Sequence, residues 1–239
     1  MPGRGVHDVK GRLLVALSCA VCLLIATEPR AAAGALEALS SRDAAAGLKS
    51  ALTQSAAKAV QQLGATGGFL QDARVTIPLP AAFRNVDSAL RMLGLGGDAD
   101  ALKTDLNHAA EEAVSGALPV LKKSLRNMTL ADAKGIVAGD EDSATNYFRR
   151  AAGDELRNAF KPIVARVTAK NRIASLYDQY AGQAAQYGLL SGTEANMNDY
   201  VTEKALDGLF IVMADEERAI RRDPLGQASA LIRKVFGAR

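Results

Sequence analysis

Apolar residues recur at spacings of three and four along most of this chain, which is the pattern of amphipathic α-helices. The first clear stripe precedes Gly64 and consists of Leu48, Leu52, Ala56, Ala59 and Leu63. Ser40 and Asp43 resemble a capping box, so we expect this helix to begin at Ser40. Asp98 is expected to cap a later helix, which Pro119 interrupts because proline lacks the backbone donor that a helix interior needs.

The second half of the chain carries the same periodicity. Thr129 and Asp132 form another capping-box pattern, and the short helix that they begin should stop at Gly139. Ser143 and Asn198 mark the starts of two longer helices. Further helices are predicted over residues 80–93, 173–187 and 225–236. The chain therefore predicts an all-α fold, a single compact multi-helix bundle over residues 34–239.

Residues 66–80 form the one irregular insert in this helical pattern. Val75, Ile77 and Leu79 have the alternate spacing of a β-strand, but a lone strand would have no partner in a helical domain. Prolines within the segment also disfavour a hydrogen-bonded ladder. We therefore predict an extended loop here.

Residues 1–33 are predicted to be a cleaved signal peptide. Basic residues precede an uncharged apolar run at residues 13–26, and small residues suited to a signal peptidase follow, up to Ala33. The apolar run has 14 residues, whereas a membrane-spanning helix needs about 20. The segment therefore predicts export and cleavage, which would leave a soluble periplasmic protein without a transmembrane segment.

Removing this segment limits the chemistry that the chain can perform. The remaining 206 residues keep 25 of the 29 Lys and Arg and 24 of the 26 Asp and Glu, so no charge excess indicates nucleic acid. Cys19 and Cys22 are lost with the segment, which excludes disulfides and Cys-rich metal sites. Lipidation of either cysteine is an alternative that the flanking residues disfavour. The one remaining histidine, His108, should be solvated, and we predict no metal and no cofactor.

The helix that begins at Asn198 carries the strongest indication of function. Residues 205–214 are apolar on almost every side, which is typical of a central buried helix. Asp207 is the one charged residue in that run, and Glu216 falls on the apolar arc further along the helix. Because a buried carboxylate without a partner is costly, each should pair with a donor.

Arg149 is the predicted donor, because it lies on the apolar side of the helix from Ser143 while Arg150 points away. The candidate ligand-binding or polar-core residues are Arg149, Asp207, Glu216, Tyr147 and Tyr177. Three interpretations stay open for them. The residues could form a structural ion pair that fixes helix register, the polar floor of a binding cleft, or a catalytic pair of acids.

Five separated segments follow the order of a known bacterial family. They are residues 46–54, 68–70, 77–80, 146–150 and 199–210. In these segments the chain resembles the exported domain-of-unknown-function family 4197, and the resemblance spans residues 39–237. It implies a bacterial, envelope-located helical domain. It implies no activity, cofactor or catalytic residues, because none is established for that family.

The expected function is non-catalytic binding of a small apolar ligand or of a cell-envelope protein, because helical bundles open clefts between their helices. One rival is a metal-free hydrolase that uses Asp207 or Glu216 as acid or base. Another is a structural protein of the envelope that uses an apolar surface. A pocket beside Arg149 would favour ligand binding, and a wide apolar patch would favour a protein partner.

Overall fold

The computed structural model describes part of the chain, namely residues 30–81, 96–170, 174–175, 177–178 and 192–223. Contacts divide the chain into two units, Met1–Ser41 and Arg42–Arg239. The buried core of the described residues belongs to the second unit, where it begins at Leu48.

Within these ranges the regular secondary structure is helical, and no residue lies in a strand. The α-helices are α1 (Arg30–Leu63), α2 (Gly96–Ser115), α3 (Leu118–Asn127), α4 (Leu130–Ala138), α5 (Ser143–Thr168) and α6 (Met197–Arg222), and a 3-10 turn, Gly192–Ala195, precedes α6. The prediction of an all-α fold is confirmed. The helices predicted over residues 80–93, 173–187 and 225–236 lie largely outside the described residues.

Several helix ends follow from local sequence. α4 has the predicted capping box, in which the Thr129 hydroxyl accepts from the Asp132 amide at 3.1 Å and the Asp132 carboxylate accepts from the Thr129 amide at 2.9 Å. α6 begins one residue before its predicted start, because the Asn196 side chain caps it. Pro119 lies in the first turn of α3, where its missing donor would be unpaired in any case.

Two predicted helix starts are wrong. Ser40 and Asp43 lie inside α1, which begins at Arg30, and Asp98 lies in the first turn of α2, which begins at Gly96. The segment before Ser40 is rich in alanine, the residue with the highest helix propensity. A capping residue begins a helix only where the residues before it are not helical. Because these alanines are helical, Ser40 is not the start of α1.

The core is built around α5 and α6, which pack along each other and against α2, while α3 and α4 pack on α5. Fully buried side chains include Leu48, Leu63, Phe69, Leu102, Leu106, Leu156, Phe160 and Leu209. Residues 205–214 of α6 are buried apart from Asp207 and Ile211, so the prediction of a central helix is confirmed for most of its circumference.

The predicted irregular segment is also confirmed. Helix α2 supplies hydrogen bonds to its backbone that a partner strand would have made. The Ile77 amide donates to the Asn107 side-chain oxygen at 2.8 Å, and the Asn107 side-chain amide donates back to the Ile77 carbonyl at 3.0 Å. Asn107 is fully buried. A side-chain amide thus imitates one rung of a ladder, which lets Val75, Ile77 and Leu79 be buried without a strand.

A second residue of α2 holds the beginning of the same segment. The buried Glu111 carboxylate accepts from the Phe69 amide at 3.1 Å and from the Leu70 amide at 3.4 Å. The Phe69 ring is fully buried against Gly208 of α6. Because a glycine leaves room for the ring, the segment can lie close to the α6 backbone.

A chain of ion pairs joins this segment to α6 and to the start of α5. Arg74 pairs with Asp72 at 2.6 Å and with Asp215, and Arg218 pairs with Asp215 at 2.9 Å and with Asp142 at 2.7 Å. The hydrogen bond from Arg74 lowers the pKa of Asp72, against an opposing effect of burial. The charges therefore alternate along the surface from the irregular segment to the α4–α5 connection.

Candidate ligand cleft between α4 and α5

Arg149 and Asp207 lie together, but at the surface. The Arg149 Nη1 is 3.6 Å from the Asp207 Oδ1, and the two side chains are 50% and 52% exposed. The Arg149 guanidinium also lies 4.5 Å from the centre of the Phe210 ring. The prediction that this pair is buried is therefore wrong. The Phe210 ring fills the space beneath the Arg149 guanidinium, so the guanidinium lies over the ring face and stays hydrated.

Glu216 has a different partner from the predicted one. Its carboxylate accepts from the Lys58 ammonium at 2.7 Å, and the side chains are 16% and 66% exposed for Glu216 and Lys58. This pair joins α6 to α1. The structure thus separates Glu216 from the Arg149–Asp207 pair, and the three do not form one polar cluster.

The two candidate tyrosines are both buried. The Tyr147 hydroxyl donates to the Ser124 carbonyl of α3 at 2.8 Å. Burial raises the pKa of Tyr147, and the negative charge of Asp132 raises it further. Tyr177 lies in one of the short described ranges, beyond α5. Of the five candidates, only Tyr147 lines the cleft between α4 and α5.

A buried carboxylate that the sequence pattern did not indicate, Glu217, lies next to Glu216. Glu217 is 5% exposed. It accepts from the backbone amides of Ala144 and Thr145, each at 2.9 Å, and from the Thr145 hydroxyl. These amides belong to the first turn of α5, where a helix has unpaired donors and a partial positive charge. A side chain of α6 therefore caps α5.

Arg221 completes this arrangement one turn later on α6. Its guanidinium donates to the Glu217 carboxylate at 2.9 Å and to the Ile136 carbonyl of α4 at 2.8 Å. Residues at i and i+4 on a helix are neighbours, so the Glu217–Arg221 spacing was the available sequence signal. Together the two side chains hold the end of α4 beside the start of α5.

An open cleft of about 310 Å³ lies where these two helices meet. α4 contributes Ala131, Asp132, Gly135 and Ile136, and α5 contributes Ser143, Asn146, Tyr147 and Arg150. In each helix the spacing of one, three and four places these residues on one face. The cleft therefore consists of two facing stripes.

Asp132 supplies the negative charge of the cleft. Its Oδ2 accepts from the Thr129 hydroxyl at 2.7 Å and from the Thr129 amide at 2.9 Å. The hydrogen bonds from Thr129 lower the pKa of Asp132, and the positive charge of Arg150 lowers it further. The carboxylate is therefore ionised at neutral pH, with Arg150 close enough to act on it across the cleft.

Three polar side chains of the cleft, those of Ser143, Asn146 and Arg150, make no direct hydrogen bond or ion pair with the described residues. They lie at i, i+3 and i+7 of one helix, so a hydroxyl, an amide and a guanidinium form one row. This row can donate several hydrogen bonds to one molecule in the cleft.

The predicted histidine lies elsewhere. His108 is exposed on α2, with its Nε2 4.0 Å from the Glu111 carboxylate. Among the residues that the structure describes, no three His, Cys, Asp or Glu side chains are grouped as metal ligands. None of the helices in these ranges combines the length and apolar composition that crossing a membrane requires.

The described part of the protein is thus an all-helical domain with a polar surface cleft. Comparison with protein families then identifies the family to which the chain belongs. Residues 38–237 match the family described as Protein of unknown function (DUF4197). The chain belongs to this family, so the resemblance found in the sequence is confirmed. No curated protein and no solved structure matches the chain.

Proposed function

We propose that this protein is a non-catalytic binding protein of the periplasm that takes a small polar ligand in the α4–α5 cleft. The observation that supports this most is a row of three polar side chains, Ser143, Asn146 and Arg150, facing an open volume of about 310 Å³. These side chains make no direct hydrogen bond or ion pair with the part of the chain that the structure describes. Ligand sites are typically clefts with a few convergent polar groups. The periplasmic location is inferred from the signal peptide that the sequence predicts over residues 1–33.

The charges of the cleft indicate the chemical class of the ligand. The Arg150 guanidinium can donate two parallel hydrogen bonds to a carboxylate, and Asn146 and Ser143 can donate or accept beside it. The ionised Asp132 can accept from an amine. A small molecule with a carboxylate and an amine, such as an amino acid, matches both charges. This polar lining favours a polar ligand, whereas the sequence led us to expect a small apolar one.

The side chains of the cleft favour binding over catalysis. Asp132 has a lowered pKa and already accepts two hydrogen bonds, so it is a weak base. Tyr147 has a raised pKa, and its hydroxyl donates a hydrogen bond to the Ser124 carbonyl. Among the described residues, the Ser143 hydroxyl makes no hydrogen bond to a carboxylate or a histidine, so it lacks the activation that a nucleophile needs.

Docking of an envelope protein has less support. The large hydrophobic side chains that are exposed among the described residues are Leu130 at 41% and Ile211 at 39%, one on α4 and the other on α6. A protein-binding surface normally needs a contiguous apolar patch. These two isolated side chains do not make one.

Thermal unfolding in the presence of amino acids, simple carboxylates and simple amines tests the proposal. An amino acid should raise the Tm of the unaltered protein, and the increase should be lost in Arg150→Gln. Lys134→Gln is the matched control, because Lys134 is exposed on α4 outside the cleft. If no probe raises the Tm, or if both variants respond alike, the proposed site is wrong.

A second variant separates ligand binding from folding. A Cβ at Gly135 would meet no atom within 4 Å, so a larger side chain can enter open space there. Gly135→Leu should therefore keep the fold and obstruct the cleft, which gives a folded protein that no longer responds to the amino acid. Native mass spectrometry of protein purified from the periplasm would then show whether a bound molecule is lost from this variant.

A further inference from the structure

A groove between α1 and α3 concentrates positive charge. It has a volume of about 280 Å³ and is lined by Lys49, Ser50, Thr53, Lys122, Leu125 and Arg126. None of these residues lines the α4–α5 cleft. The groove is therefore a separate site, which we call the basic groove.

The charge of the basic groove comes from an uneven distribution along the sequence. Residues 44–63 and 118–127 contain five basic residues and no acidic residue. Two of the five are paired with distant carboxylates, Lys58 with Glu216 at 2.7 Å and Lys123 with Glu155 at 2.9 Å. The other three line the groove.

These three cations have no carboxylate partner among the described residues. Lys122 and Arg126 are four residues apart on α3, where like charges repel and weaken a helix. Lys49 adds a third positive charge, since its Nζ lies 3.5 Å from the Arg126 carbonyl at the end of α3. The partial negative charge at the end of α3 favours cations there, but no carboxylate of the described residues neutralises these three, so the groove keeps a net positive charge.

We propose that the basic groove binds a phosphate group. A tetrahedral oxyanion accepts several hydrogen bonds, and its charge would offset the repulsion between Lys122, Arg126 and Lys49. The Ser50 hydroxyl can donate a further hydrogen bond from α1. The Thr53 hydroxyl cannot, because it donates to the Lys49 carbonyl at 2.7 Å. The phosphate could belong to a soluble molecule or to a lipid headgroup.

Titration with inorganic phosphate, followed by NMR at constant ionic strength against chloride, tests the site. The backbone amides of residues 122–126 should shift. In the double variant Lys122→Gln, Arg126→Gln, affinity should fall at least about tenfold, because two charge-assisted hydrogen bonds are lost. The variant should fold, since it removes a repulsive pair, and circular dichroism checks this.

Lys123→Gln is the matched control. Lys123 is next to Lys122 in sequence but pairs with Glu155 and does not line the groove. Its loss should change phosphate affinity by less than about twofold, the effect of one exposed charge. If this variant binds as weakly as the double variant, binding depends on total charge and the proposed site is wrong.

Sedimentation with vesicles distinguishes the two sources of phosphate. Vesicles of phosphatidylglycerol and phosphatidylcholine both carry phosphate, but only the former are anionic. If phosphatidylglycerol vesicles bind the unaltered protein but not the double variant, the groove recognises a lipid headgroup. If inorganic phosphate binds and vesicles do not, the ligand is a soluble phosphate. If neither binds, the proposal is overturned.

Discussion

Gly208 and Gly153 lie inside α6 and α5, where replacing glycine by alanine normally stabilises a helix by about 0.5–1 kcal/mol. The two positions differ in what the added methyl group would meet. At Gly208 a Cβ would lie 2.5 Å from the Phe69 Cε1 and 3.0 Å from its Cζ. At Gly153 no atom lies within 4 Å of the added Cβ.

The free-energy cost of Gly208→Ala depends on how far the Phe69 ring can move. Carbon atoms prefer a separation of about 3.5–4.0 Å, so the ring must move by about 1 Å. Its ring is fully buried and its amide is bound by Glu111, so this movement distorts the segment. Overpacking of this kind costs about 1–3 kcal/mol. After the helix gain, Gly208→Ala should destabilise by about 1–2 kcal/mol.

Gly153→Ala is the matched control, and it should stabilise by about 0.5–1 kcal/mol. The free energy of unfolding can be measured for both variants by urea denaturation with circular dichroism. If both variants are more stable than the unaltered protein, Phe69 does not pack against Gly208 as described. Phe69→Leu offers a further check, because its side chain lacks the two clashing atoms. Its cost should be smaller in the Gly208→Ala background, as a double-mutant cycle would show.

Four other predictions concern charges and the N-terminus. Glu217→Ala should lower the free energy of unfolding by at least about 3 kcal/mol, since it removes the carboxylate partner of the largely buried Arg221 guanidinium and of two helix amides. Glu216→Ala, its control in the same urea assay, should cost at most about 1 kcal/mol. Arg149→Ala should likewise cost only about 1 kcal/mol, because its ion pair is half exposed; a cost of several kcal/mol would mean that the pair is buried. The pKa of Asp72 is lowered in the folded state by Arg74, so its contribution to stability is present above the ordinary value of 3.8 and is lost as pH falls through the lowered value. Asp72→Asn should therefore lose less stability than the unaltered protein between about pH 5 and pH 2, measured by urea denaturation at each pH. N-terminal sequencing of the exported protein should begin at Gly34, and an intact Met1 would contradict cleavage.

Features that depend on neighbouring residues in the sequence could be predicted. The α4 capping box, the break at Pro119 and the irregular segment each involve residues within a few positions of one another. The Ser40 capping box failed because helix propensity is equally local and acted against it. A single sequence does not show which of two local signals is stronger, here the capping-box pattern at Ser40 or the helix propensity of the alanines before it.

Features that depend on distant residues could not be predicted. The helical phase placed Arg149 and Asp207 on apolar faces, but the Phe210 ring decides how deeply the guanidinium lies. Glu217 was missed because the amides that it caps are 72 and 73 residues away in sequence. Arg150 was correctly assigned to an exposed face, yet only the position of α4 makes that face one wall of a cleft.

The Glu217–Arg221 pair makes the cleft dependent on the core helix. α4 is short and has only two buried side chains, Ala133 and Ile136. Its position relative to α5 is therefore supported by Arg221, which binds the Ile136 carbonyl, and by Glu217, which binds the first turn of α5. Because Ile136 also lines the cleft, any change that breaks this pair should alter the distance between the two walls. Residues of α6 that do not line the cleft would then affect binding of the proposed ligand.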